Sequence, residues 1–335
     1  MRRVFARTPV YQLHSSNMLF RPDLITLRQA RELLARFLPV TRAVPARSLS
    51  IDGSAVHLKL EIDLPTGSFK PRGAIYALAT NLKRGKITEA TASSTGNHGA
   101  AVAYAGKVLG IPATIFLPAN PNAVKRDKIR DLGARIVECG AADLAQAFQE
   151  AAEYSHRPGV YFLNDATDPD LPAGPGVIGL EIAEQVPQVS TIYVPMGDTA
   201  LIRGLAAAVK QLIPGVRIVG VQAERAPSYY LSWKQGAIVP TDTCHTCADG
   251  LATRTPEAGN VRVIREIVDD VVLVSEEQML AAIHHLYERE GIVAEPAGAA
   301  ATAAFLASPR KEGTTVLLVT GANISQEVRQ QAGIP

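Results

Sequence analysis

The sequence predicts an α/β protein, in two domains or one large unit, built on twisted and mostly parallel sheets flanked by helices. Short β-rich runs alternate with helical segments from Val56 to Val319, the pattern of βαβ units. The chain has 335 residues, 47% hydrophobic and 20% charged, ample for a sizeable core. No internal repeat, low-complexity tract or long linker interrupts the alternation.

Residues 1–21 read as irregular. From Leu24 to Leu38 an apolar stripe of Leu27, Ala30, Leu34 and Phe37 has helical spacing. Val56–Leu60 alternates as a strand, Pro65 and Gly67 break it, and Ala74–Leu82 is helical. Strands follow at 90–94, 113–117, 134–138 and 160–163, and helices at 97–109, 122–132 and 141–154. Gly110-Ile-Pro112 and Gly133 end the first two of those helices. Helices at 174–185 and 201–213 then alternate with strands at 191–194 and 217–222. The Pro-, Thr- and Gly-rich segment 223–260 is irregular. Val271–Val274 is a strand, and Ser275-Glu-Glu-Gln278 a capping box for a helix with Met279, Ile283 and Leu286 on one face. Glu295-Pro-Ala-Gly298 opens an alanine-rich helix, and Thr315–Val319 is the last strand.

A net charge of +2 is too mild for nucleic acid or an anionic membrane, and 5% aromatics provide no stacking platform. Three cysteines, Cys139, Cys244 and Cys247, suit a reducing compartment. With no secretory signal or membrane-length apolar run, the expectation is a cytoplasmic protein. Cys244-His-Thr-Cys247 is half a zinc pattern with no second pair, so no metal is expected. The charges of Lys125, Arg126, Lys128 and Arg130 read as a solvated helix face. Tyr229, Tyr230 and Trp233 suit either an aromatic wall for a large substituent or an oligomer contact.

The chemistry centres on Glu61-Ile-Asp-Leu-Pro-Thr-Gly-Ser-Phe-Lys-Pro-Arg-Gly73. Lys70 follows Phe69 at a loop-to-helix junction, where contact with apolar surface should lower its basicity and free the amine to attack a carbonyl. In an open α/β sheet ligands bind past the carboxyl ends of strands, and three such ends are unusual here. Ser93-Ser-Thr-Gly-Asn-His-Gly99 offers hydroxyls, an amide and backbone N–H groups for a carboxylate at a helix start. Gly197-Asp-Thr-Ala-Leu201 is a small-residue turn before a helix and suits a phosphate. A carboxylate beside a phosphate is repulsive, so Asp198 is expected to point outward and cap the helix. Val319-Thr-Gly-Ala-Asn323 ends a strand on a hydroxyl. An amine, a carboxylate nest, a phosphate cradle and a hydroxyl are what a pyridoxal phosphate site needs.

Five segments occur in order: Gly67-Ser-Phe-Lys-Pro-Arg-Gly-Ala74, Ser94-Thr-Gly-Asn-His-Gly99, Ala248-Asp-Gly250, Glu295-Pro-Ala-Gly-Ala299 and Thr320-Gly-Ala-Asn323. Together they resemble the β-family, fold type II, of pyridoxal-phosphate enzymes, in particular its threonine/serine dehydratase and serine racemase branch. The resemblance covers roughly residues 40–325.

It implies a tryptophan synthase β-like fold, with residues 1–85 and 160–335 as the large, cofactor-binding domain. Residues 86–159 would be a small domain carrying the substrate-carboxylate loop. The implied cofactor is pyridoxal 5′-phosphate, joined as an imine to Lys70 with Phe69 packed nearby. Asn97 would hydrogen-bond the ring 3′-oxygen, and Ser94, Thr95 and His98 would hold the substrate carboxylate. Gly197, Asp198, Thr199, Ala200 and Leu201 would take the phosphate, Gly250 and Glu295 would line the ring, and Thr320 would face its nitrogen. The implied reaction is loss of the β-hydroxyl from a threonine- or serine-type amino acid, or a bulkier 3-hydroxy analogue, giving a 2-oxo acid and ammonia. Lys70 would be the base that removes the α-proton. The implied assembly is a homodimer acting on a small amino acid.

The departures matter too. The family's phosphate loop is usually a run of glycines, and Thr95 stands where racemases of this branch carry a serine as the second base, which makes efficient racemisation unfavourable. Ala100 replaces the glutamine that often follows Asn-His-Gly in dehydratase-like members. Gln222 and Ser228 occupy the positions of the acidic ligands in metal-binding racemases, which again predicts no metal site. β-Replacement on the same scaffold and a cofactor-binding protein with little turnover are the alternatives; a dinucleotide-binding protein lacks its glycine fingerprint.

Overall fold

A computed structural model describes residues 21–335 apart from 52, 86, 122, 141–143 and 309–312. The irregular segment expected over 1–20, and the first turn of the helix expected from 141, lie outside the described residues. The chain opens with α1 (Leu24–Leu34), whose N-cap Asp23 accepts the Thr26 N–H at 2.8 Å. Leu27, Ala30 and Leu34 are buried as the stripe requires. Then come β1 (Ala43–Pro45), β2 (Ser54–Leu60), α2 (Lys70–Lys83), β3 (Glu89–Ser93), α3 (Asn97–Leu109) and β4 (Ala113–Leu117). Next are α4 (Ala123–Asp131), β5 (Arg135–Glu138), α5 (Leu144–Tyr154), β6 (Val160–Phe162), α6 (Ala173–Gln185) and β7 (Thr191–Pro195). The remainder is α7 (Ala200–Leu212), β8 (Arg217–Ala223), α8 (Ser228–Gln235), α9 (Ala258–Ile267), β9 (Asp270–Val274), α10 (Glu276–Glu290), α11 (Pro296–Ala307), β10 (Gly313–Val319) and α12 (Gln326–Gln331).

These strands form two sheets. One has six strands in the order β1-β2-β10-β7-β8-β9, parallel except for β1, which runs antiparallel along β2. The other has four parallel strands in the order β5-β4-β3-β6. Parallel strands are covered on both faces, so β4 and β10 read as apolar runs with nearly every residue buried. Among the described residues no helix is long and apolar enough to cross a membrane.

Most expected elements lie within two residues of their sequence-based limits. The exceptions are α1, which ends at Leu34 and not Leu38, α2, which starts at Lys70 and not Ala74, and the unexpected β1 and α12. Also unexpected are α8, α9 and a short 3-10 turn at Asp249–Leu251, all inside or beside the segment read as irregular. Prolines, threonines and glycines there mask two short helices that pack one face each. The capping box forms as expected, with Ser275 accepting from the Gln278 N–H and Gln278 accepting from the Ser275 N–H at 2.8 Å. It secures the start of α10, which buries Met279, Ala282, Ile283 and Leu286.

Candidate active site

A cavity of about 690 Å³ opens where the carboxyl ends of β3, β6, β7 and β10 converge. The segment carrying Lys70 is pinned to its floor. The Phe69 N–H donates to Thr320 O at 3.0 Å and the Ala322 N–H to Gly67 O at 2.9 Å, so residues 67–69 run beside the end of β10. Gly67 has φ +70°, a left-handed turn that suits glycine. Lys70 is therefore the first residue of α2, with Pro71 in a position that needs no N–H. The Phe69 ring lies 5.4 Å from the Lys70 ammonium.

The sequence suggested a lysine made less basic by apolar contact, and the structure corrects that. Lys70 Nζ donates to Asp165 Oδ2 at 2.5 Å. Burial works against the ammonium, but the charge and hydrogen bond of Asp165, with Asp198 and Glu295 behind it, more than offset this. The amine is held above the ordinary lysine range. Burial likewise opposes ionisation of Asp165, yet His98 and Lys70 keep its carboxyl well below the usual range. Asp165 escaped the sequence reading because it sits in an irregular loop after β6 with no motif around it.

The loop after β3 brings Ser94, Thr95, Gly96, Asn97 and His98 to the cavity wall. Ser93 Oγ, also on that wall, is buried without a hydrogen-bond partner. Asn97 donates to Glu295 Oε1 at 2.7 Å and accepts from Asn323 Nδ2 at 2.6 Å, leaving one amide hydrogen uncommitted. His98 Nε2 faces Leu163 O at 2.8 Å, which fixes that nitrogen as the proton-bearing one. Its Nδ1 is 3.7 Å from Asp165 Oδ2, so His98 flanks the lysine's counter-charge as well as the nest.

The turn after β7 forms the opposite wall. Among the described residues, the backbone N–H groups of Gly197, Asp198, Thr199, Ala200 and Leu201 have no hydrogen-bond acceptor, and the start of α7 stands behind them. Consecutive free amides at a helix N-terminus form an anion cradle. A Cβ on Gly197 would meet Gly250 O at 2.2 Å, so the cradle closes only with glycine there. Thr199 holds φ +70°, an uncommon backbone for a residue with a β-branched side chain. Its Oγ1 accepts from the buried Arg203 Nε at 3.1 Å. Asp198 does not cap α7 as expected. Thr199 is the N-cap, and Asp198 Oδ1 instead accepts from Thr253 Oγ1 at 3.0 Å, on the cavity wall. Burial and the nearby Asp165 push its carboxyl up to about 6.

Glu295 caps the approach to α11, and burial pushes it up to about 7. Thr320 is buried at the end of β10, with its hydroxyl 3.4 Å from Ala297 O. Gly250, Cys244 and Cys247 also line the cavity. Tyr229, Tyr230 and Trp233 do not; they pack behind Phe69 in the core between β7, α7 and α9. Besides Phe69, the aromatic surface on the cavity is Phe162 with Phe148, edge to face at 5.0 Å. Nor is α4 merely a solvated face. Lys125 reaches Asp249 at 2.7 Å, and Lys128 donates to Thr66 O at 3.1 Å and to Asn323 Oδ1, both across the cleft.

Comparison with known proteins agrees with this geometry. The family model described as "Pyridoxal-phosphate dependent enzyme" matches residues 35–321. An L-threonine ammonia-lyase of Geobacter sulfurreducens is 36% identical over 81% of this chain and 68% of its own length. A second, from Thermotoga maritima, is 35% identical over 89% of this chain and 75% of its own. Among solved structures, maize serine racemase superposes with a TM-score of 0.86 at 28% identity, covering 93% of this chain and 96% of that one. A threonine deaminase isoform of Solanum lycopersicum gives 0.85 at 27% identity, covering 98% of each. The match spans both sheets and every wall of the cavity, and the chain belongs to the pyridoxal-phosphate dependent enzyme family.

Proposed function

We propose that this protein is a lyase that removes the β-hydroxyl of a threonine- or serine-type amino acid, yielding a 2-oxo acid and ammonia. The carrying observation is the Lys70 amine on the floor of a cavity with an anion cradle on one wall and a hydroxyl-rich helix start on the other. Relatives named L-threonine ammonia-lyase at 35–36% identity support the same reading.

The residues present fit pyridoxal 5′-phosphate. Free amides from Gly197 to Leu201 and the closely packed Gly197 suit its phosphate, and Arg203 steadies the cradle through Thr199. Gly250, Glu295 and Phe69 border the space for its ring, with Asn97 at one side and the Thr320 hydroxyl at another. Bound there, the cofactor supplies an electron sink that acidifies the substrate's α-C–H bond.

The chain's own residues do the rest. Ser94 and Thr95 hydroxyls, His98 and the N–H groups at the start of α3 hold the α-carboxylate, aided by the helix dipole. That grip turns the α-hydrogen toward Lys70 Nζ, which removes it as the general base. The same Nζ then stands next to the substrate with a proton to give to the departing hydroxyl, which leaves as water. The enamine released is hydrolysed to the 2-oxo acid and ammonia. Phe148 and Phe162 offer an apolar surface for the substrate's side chain, which favours a methyl-bearing or bulkier substrate.

A screen for 2-oxo-acid release tests this with L-threonine, L-serine and bulkier 3-hydroxy amino acids. Ammonia and 2-oxo acid should appear in equal amounts and at a rate unaffected by added thiol. A thioether product formed only with thiol, or recovery of the opposite enantiomer with no ammonia, overturns it. The proposal includes division into segments 1–85 with 160–335 and segment 86–159, a homodimer, and a cytoplasmic location. Sedimentation measures the oligomer directly.

A further inference from the structure

We propose that Asp165 is the counter-ion of Lys70: it holds the amine as an ammonium in the cofactor-free protein, and during turnover it receives the ammonium formed when the freed amine has taken the α-proton. The proposal deepens the functional reading at the same site and uses a residue that reading leaves without a role. The geometry is direct: Asp165 Oδ2 lies 2.5 Å from Lys70 Nζ, and both side chains are four-fifths shielded from solvent at 20% exposure. Such a pair is screened far less by salt than a surface one.

The surroundings determine what Asp165 does. Among the described residues, the charged groups that act most strongly on Lys70 Nζ are Asp165 from the loop after β6, Asp198 from the turn after β7, and Glu295 before α11. His98, from α3, has its Nδ1 3.7 Å from the same Asp165 Oδ2. Of the three carboxylates only Asp165 touches Nζ. Asp198 is occupied with Thr253 and Glu295 with Asn97. Burial alone would leave Lys70 a poorly charged, permanently nucleophilic amine. Asp165 reverses that sign.

The consequence for turnover follows. Once substrate has freed Lys70 and the amine has taken the α-proton, the new ammonium lands against a fixed carboxylate. The proton is then stabilised on Nζ and is not returned at once to carbon.

The test needs no turnover. The full-length protein, stripped of cofactor, is pulse-labelled with an amine-acylating reagent across pH, and Lys70 and the exposed Lys107 are followed by peptide mass spectrometry. In the parent protein the Lys70 midpoint should lie at or above that of Lys107. In Asp165→Asn it should fall by about 1–3 pH units, the usual effect of one close opposite charge. Asp165→Glu should recover most of the shift. An Asp165→Asn midpoint equal to the parent's overturns the proposal, even if the variant melts earlier, because a merely structural role would lower stability and leave the midpoint in place. If Asp165→Asn does not fold, the parent still decides, since a Lys70 midpoint about one unit or more below Lys107 overturns it equally. Absence of lyase activity with the expected midpoints would refute the functional reading and leave this one intact.

Discussion

Lys70 and Arg72 leave the same turn of α2 and enter opposite electrostatic settings. Two residues along a helix rotate a side chain by about 200°, so one faces the cavity and the other the core. Arg72 is 1% exposed. Its Nε donates to Glu61 at 2.8 Å and its Nη1 to Glu181 at 2.7 Å. Lys59, at 0% exposure, donates to Glu181 at 2.6 Å, to Thr41 O at 2.7 Å and to Gln185 at 3.0 Å. Two cations meet two carboxylates, and the Thr41 hydroxyl closes the ring by donating to Glu61 at 2.7 Å. The cavity set is the reverse. Lys70 is surrounded by Asp165, Asp198 and Glu295, and five backbone amides nearby have no acceptor among the described residues. A buried network that is complete within itself fixes structure; one left unbalanced, with free donors beside excess carboxylates, is built to receive a ligand.

Breaking each set should therefore damage different things. Lys70→Ala should lower turnover by at least about 10³-fold and abolish the cofactor's imine absorbance, since base and attachment point go together. Its loss of stability should be smaller than that from breaking the Arg72 cluster, because Lys70 and Asp165 keep 20% exposure and water reaches the freed carboxylate. A comparable loss of stability would mean that the cavity charges are structural after all.

Arg72→Met should do the converse. It leaves Glu61 and Glu181 buried with one cation between them, a loss of about 3–5 kcal/mol measured by denaturant unfolding. A neutral result would show that the cluster is not the closed network its geometry describes.

Asp198→Asn should tighten cofactor retention by roughly 3–10-fold at pH 8, measured by equilibrium dialysis, because a carboxylate beside the phosphate cradle is repulsive. Asp198 is pushed up to about 6, so in the parent that repulsion grows as pH rises through this value. The variant's affinity should lose that part of the pH dependence.

The smallest effect is expected at Glu295. Its carboxyl is pushed up to about 7, above the ordinary glutamate value near 4.5, so the folded chain binds this proton more tightly than the unfolded one. Stability from this group is full below about 4.5 and is lost as pH rises through about 7. In the cofactor-free protein Glu295→Gln should therefore gain on the order of 1 kcal/mol over the parent at pH 8 and little at pH 5. An equal gain at both values would remove Glu295 from the unbalanced set.

What was legible in the sequence was whatever is local. The Ser275 capping box, the Asn97–Leu109 helix ending on a left-handed Gly110 and the apolar runs of parallel strands each announce themselves within a few residues. Long helix-strand alternation and ordered motifs supplied the fold class and the family. The segment 223–260 hid α8 because its prolines and threonines carry no period, although Tyr229 there is fully buried and donates no motif signal. Asp198 was misread because the sequence places it at a helix start but says nothing of Thr253, 55 residues away.

By itself the sequence determined most of the strands and helices, the amine and the order of the site's loops, since all of these follow from neighbours along the chain. Only the tertiary structure decided the proton state of Lys70. That depends on Asp165, 95 residues distant, delivered by the second sheet to within hydrogen-bonding reach. Charge interactions fall off with distance through space and are indifferent to distance along the chain, so a pattern of letters reveals which groups are present and the fold alone reveals which of them meet.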